Sequence, residues 1–64
     1  MTSVGNKLRE LRGAKSQTEV AKDLNISDSA VSSYENGERM PRPEMMRRIA
    51  DYYGKTVQEI FFDQ

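Results

Sequence analysis

The 64-residue chain has neither cysteine nor histidine. Without thiols it can form no disulfide framework and no thiolate metal site, and nothing in it points to secretion. Without imidazole as well, the usual general base, thiol nucleophile and nitrogen metal ligand are all missing, and the carboxylates are spread along the chain rather than gathered. No catalysis is expected, and no cofactor, metal or small-molecule substrate. Long apolar runs are absent too. Hydrophobic residues make up 36% and charged residues 31%, a balance that suits a small solvated domain and is too polar for a membrane span. Residues Met1 to Lys7 contain no apolar stretch able to act as a signal peptide, so the cytoplasm is the expected compartment. An excess of positive charge is also missing, because ten Lys and Arg balance ten Asp and Glu. Composition alone gives no sign of a nucleic-acid partner; only cations gathered on one face could supply one.

What is present is helical periodicity. No segment alternates strictly between apolar and polar residues as a half-buried strand does, so the class is all-α. The length allows one domain, 1–64, around one core. Val4, Leu8 and Leu11 recur at helical spacing and Gly13 follows where a C-terminal cap would sit, which predicts a first helix from Val4 to Arg12. Ser16-Gln17-Thr18-Glu19 has the capping-box pattern. It opens a second helix through Val20, Ala21 and Leu24, ending near Asn25, a residue that tolerates the left-handed conformation. Ser27 is a good N-cap for a third helix carrying Ala30, Val31 and Tyr34 inward and stopping at Asn36-Gly37.

Two prolines at i and i+2 make Glu38 to Pro43 a loop. Pro43 then suits the first turn of a fourth helix, with Met46, Ile49, Ala50 and Tyr53 on its apolar stripe and Gly54 at its end. Thr56-Val57-Gln58-Glu59 is a second capping box, opening a short final helix with Val57, Ile60 and Phe61. Tyr34, Met46 and Tyr53 are core by spacing. Phe62, beside Phe61, is expected to be exposed and to suit a partner surface. Val57, Ile60, Phe61 and Phe62 together are the expected dimer surface.

The second and third helices, about 17–36, form a helix-turn-helix. Two short helices joined by so brief a turn leave the second projecting, with Ala21 at their close approach and Ile26 and Val31 in the seam. A projecting helix fits the major groove, about 12 Å wide. Helix pairs of this shape also occur without DNA.

From Ser16 to Phe61 the chain resembles the Cro and phage-repressor family of helix-turn-helix regulators, also called XRE-like. The residues that carry the resemblance are Ser16-Gln17-x-x-Val20-Ala21, Ile26-Ser27-x-Ser29-x-Val31-Ser32, Tyr34-Glu35-Asn36-Gly37, Pro41, Ile49-Ala50 and Val57-x-Glu59-Ile60-Phe61. Asn25 stands where the family usually has glycine, and Lys55 where an apolar residue is common. The resemblance implies a compact five-helix bundle of the lambda-repressor-like DNA-binding type. It also implies a homodimer that binds double-stranded DNA at a palindromic operator and represses transcription.

Residue roles follow from the same resemblance. Gln17 matches a residue that holds a DNA phosphate, although a helix-start residue can equally face water. Asp28, Ser29, Ser32 and Ser33 fall at positions that face the groove and read bases; Asp28 can accept from cytosine N4 or simply stabilise the start of its helix. Ser16 and Ser27 are caps beside the phosphate path. Asn36, Arg39 and Arg42 lie where the family loop follows the sugar-phosphate backbone, and Lys15 could reach a phosphate from the turn before helix 2. Lys7, Lys22, Arg47 and Arg48 are expected at ordinary solvated surface. Glu35 corresponds to a carboxylate that pairs with an arginine of helix 1, for which Arg12 is the natural candidate and Arg9 the alternative, and the same arginine can also extend toward phosphate.

One rival reading keeps the fold and changes the partner: an interaction module that binds another regulator through helix 3 or the Phe61-Phe62 end. If Lys15, Arg39 and Arg42 converge with helix 3, DNA is favoured. If carboxylates such as Glu38 cancel them, a protein partner is favoured.

Overall fold

The computed structural model of the chain describes residues 3–62. Ser3 accepts the Asn6 N–H at 3.2 Å and opens α1, Val4–Arg12, which closes where Gly13 donates its N–H to the Arg9 carbonyl at 3.1 Å. Ser16 opens α2, Gln17–Leu24, by accepting the Glu19 N–H at 3.0 Å. Asn25 ends it in the left-handed region at φ 58°. That conformation is open to asparagine at modest cost, and it lets the Ile26 N–H reach back to the Ala21 carbonyl at 2.9 Å. Three residues later α3, Asp28–Glu35, is under way behind its Ser27 cap. Pro43 starts α4, Pro43–Tyr53, and Gly54 ends it.

Thr56 and Glu59 complete a reciprocal capping box, each accepting the other's N–H at 3.0 Å. The turn they open, α5, Gln58–Phe62, is wound as a single wide π-type turn rather than the expected α-helical one. Among the described residues all regular structure is helical.

The core is assembled from every helix: Leu8 of α1, Val20, Ala21 and Leu24 of α2, Ala30, Val31 and Tyr34 of α3, Met46, Ile49 and Ala50 of α4, Ile60 and Phe61 of α5. Tyr53, expected in the core, is half-buried at its rim. Burial, with the nearby Glu35 charge second, pushes its hydroxyl pKa up to about 12. The expected dimer surface needs a larger correction. Ile60 and Phe61 are only 1% and 4% exposed, whereas Phe62 is 57% exposed and Val57 is half-buried. A domain this small draws both adjacent apolar residues into its core, and only Phe62 is left fully outside.

One contact sets the position of the first helix. A Cβ added at Gly5 would lie 2.1 Å from the Glu35 carbonyl oxygen. The N-terminal end of α1 therefore rests directly on the C-terminal end of α3, closer than any side chain would allow. No helix among the described residues is long and apolar enough to cross a membrane.

Candidate nucleic-acid interface

The two sides of α3 differ as the 3.6-residue period requires. Ala30, Val31, Tyr34 and Glu35 form the buried stripe, while Asp28 and Ser29 are exposed and Ser32 and Ser33 partly so. The inward stripe packs against α1 and α2. The polar side chains are thereby left on the outer surface, held by helices on the other side.

Glu35 is the charged residue of the buried stripe, 4% exposed. Arg12 binds it with two parallel bonds, Nε to Oε2 at 2.8 Å and Nη2 to Oε1 at 3.0 Å. Arg9, the alternative partner, stands 3.9 Å away and donates instead to Asn36 Oδ1 at 2.5 Å. The Gln17 amide also donates to Glu35 Oε1, at 3.0 Å. Burial works against the charged carboxylate, and these bonds together with the arginine charges outweigh it, holding its pKa below the ordinary glutamate value. The same pairing raises the pKa of Arg12. One carboxylate thus ties α1, the start of α2 and the end of α3 together.

The N-terminal ends of α2 and α3 are also joined. Thr18 donates its hydroxyl proton to Asp28 Oδ2 at 2.7 Å. Ser27 accepts the Ala30 N–H at 3.0 Å, and both cap serines, Ser16 and Ser27, are exposed beside this junction. Asn36, at the other end of α3, donates to Ser32 Oγ at 3.3 Å as well as accepting from Arg9.

The cations are distributed differently from the sequence-based expectation. Arg39 lies over the Tyr34 ring, 5.6 Å from its centroid, a cation–π distance that holds the guanidinium at the end of α3. Arg39 and Arg42 line one open groove of about 560 Å³ with Tyr34 and Met40. Among the described residues neither arginine makes an ion pair, with Glu38 or with any other carboxylate, and Glu44 lines the same groove. Lys15 does not join this group. Its ammonium donates to the Tyr52 hydroxyl at 2.9 Å and lies 3.7 Å from Asp23 Oδ2, and the Tyr52 bond is the main cause of its raised pKa.

Two cations expected at plain surface have structural partners. Lys7 donates to the Glu59 carbonyl at 3.1 Å, and Arg48 donates to the Leu24 carbonyl at the end of α2. Thr18 is a polar residue at this face to which sequence reasoning gave no role, and Arg9 is one it named only as the alternative partner of Glu35, able also to extend toward phosphate. Neither carries a local signal, since each acts on a residue brought near only by helix packing.

A helix-turn-helix family model matches residues 7–60 of the chain. The cryptic phage CTXphi transcriptional repressor RstR of Vibrio cholerae is 30% identical to it over 60 residues, covering 91% of this chain and 54% of that protein. The chain spans about half the length of this curated relative.

Proposed function

The chain belongs to the XRE-type helix-turn-helix family, and from that premise we propose that it represses transcription by binding double-stranded DNA sequence-specifically through α3, as a dimer on a palindromic operator. One observation carries this reading: the outward stripe of α3 is wholly polar and is flanked at its C-terminal end by Arg39 and Arg42, neither of which makes an ion pair among the described residues. Asp28, Ser29, Ser32 and Ser33 read base edges. Ser16, Gln17 and Ser27 meet phosphate near the N-terminal ends of α2 and α3, where free N–H groups favour an anion. Asn36, Arg39 and Arg42 meet it beyond the other end of α3. Lys15, drawn toward Tyr52 of α4 and Asp23 rather than toward α3, is left out of this set, and Arg9, held against Asn36 at the end of α3, enters it.

Net charge zero is no obstacle to this reading, because each phosphate contact acts locally and adds about −0.9 to the slope of log affinity against log salt. Size supports the dimer. The described residues extend 27 × 21 × 20 Å, less than the roughly 34 Å that separates half-sites one turn apart, so one copy serves one half-site. Phe62, with the half-buried Val57 five residues before it, is the dimer surface that remains after Ile60 and Phe61 are assigned to the core. The relative described as a phage repressor supports the repressing role.

Fluorescence anisotropy with duplexes from the chain's own promoter region, at two salt concentrations, tests the reading. Binding that weakens with salt yet still prefers one duplex is expected. Indifference to every duplex at the lower salt concentration would overturn it.

A further inference from the structure

We propose that Thr18 is a positioning residue for sequence choice, fixing Asp28 as an acceptor that selects cytosine at one position of each half-site. The inference rests on the reading of α3 as the DNA-reading helix and adds to it a residue on α2. An aspartate at the first position of a helix has two possible employments, serving its own helix start or facing outward. Here the cap bond of the helix start is made by Ser27, whose hydroxyl accepts the Ala30 N–H at 3.0 Å, so the Asp28 carboxylate is not needed for it. The Asp28 carboxylate turns instead to α2, where Thr18 donates to Oδ2 at 2.7 Å. Both residues are exposed, and among the described residues Oδ1 has no bonded partner.

The geometry defines a chemical preference. With Oδ2 tethered to Thr18, the carboxylate is held in one orientation and turns Oδ1 outward as an acceptor, with no donor to offer. In the major groove guanine presents only acceptors, thymine an acceptor and a methyl group, and adenine an amino group beside the acceptor N7. Cytosine alone offers an amino group with no acceptor beside it on the same base. A carboxylate is also repelled by phosphate, so Asp28 cannot compensate by moving to the backbone. Without the Thr18 hydroxyl it regains rotational freedom, and an acceptor that must be ordered on binding discriminates less.

The test is selection from a duplex pool with a randomised core, followed by affinity measurement on the enriched duplex and its single-base variants. The chain itself, Thr18→Val, Thr18→Ser and Asp28→Asn are compared, with thermal melts of each. One enriched position should carry cytosine for the unaltered chain and for Thr18→Ser. Thr18→Val and Asp28→Asn should lose roughly threefold to tenfold of the discrimination there, with other positions and the melting temperature of Thr18→Val unchanged. The proposal is overturned if Thr18→Val keeps the cytosine preference, or if its losses spread over all positions together with a fall in melting temperature. Failure of the wider reading looks different: no variant, nor the unaltered chain, retains any duplex at low salt, and the inference falls with it.

Discussion

Glu35 is a single buried carboxylate on which three helices depend. Its folded pKa is lowered, so its contribution to stability is complete above the ordinary glutamate value of about 4.3 and is lost as pH falls through the lower folded value. Thermal melts followed from neutral to acid pH should therefore show a limb of falling stability below that range. Glu35→Gln should remove most of this limb and cost roughly 1.5–3 kcal/mol at neutral pH, the usual range for a charged hydrogen bond. Glu59, held low by the backbone N–H and hydroxyl of Thr56, adds to the same limb. An unchanged acid limb in the variant would mean that another group titrates. The resemblance pointed to one arginine partner for Glu35. That Gln17 shares the same carboxylate was not legible, because an interaction across 18 positions depends on where α2 comes to lie.

At the scale of elements, the helix starts and stops were written locally. Ser16, Ser27 and Thr56 act on N–H groups three residues away, and a pattern that short is visible in a sequence. The placement of α1 against α3 was not. Gly5 offers only the ambiguous signal of a glycine near the start of a helix. Alanine there would gain about 1 kcal/mol in helix propensity, but its Cβ would meet a backbone carbonyl that no rotamer change can move aside. Overpacking of this kind costs about 1–3 kcal/mol. Gly5→Ala should therefore lower the chemical denaturation midpoint, and should weaken DNA binding by displacing the helix that carries Arg9 and Arg12. A higher midpoint would show that α1 can shift without loss.

At the scale of the whole molecule, two adjacent phenylalanines separate folding from the proposed assembly. Phe61→Ala empties part of the core and should cost about 3–5 kcal/mol, a large share of the roughly 5–15 kcal/mol that holds a small domain. Phe62→Ser should leave the melting temperature of the monomer nearly unchanged and shift sedimentation equilibrium from dimer to monomer. A Phe62→Ser chain that sediments as the unaltered one would place the dimer surface elsewhere. DNA binding belongs to the same scale, because its salt dependence counts phosphate contacts over the full footprint. Arg42→Ala should weaken binding to all duplexes alike and make the salt slope shallower by about 0.9. A slope that stays the same would remove Arg42 from the backbone contacts.

The amino-acid sequence by itself determined the first four helices, the serine and threonine caps, the short turn before α3 and the polar stripe of α3, since each depends on neighbours within about one helical turn; the π-type winding of α5 was not among them. Tertiary structure decided which polar groups became partners. Arg39 settled on Tyr34, Lys15 on Tyr52 and Asp23, Thr18 on Asp28. It also decided that Ile60 and Phe61, expected on the dimer surface, are both core, whereas the exposure of Phe62 was already legible in the sequence. The physical reason is the same in every case: periodicity specifies which side of a helix turns inward, whereas a side chain's partner depends on how close neighbouring helices come, and that distance is set by packing the whole core at once.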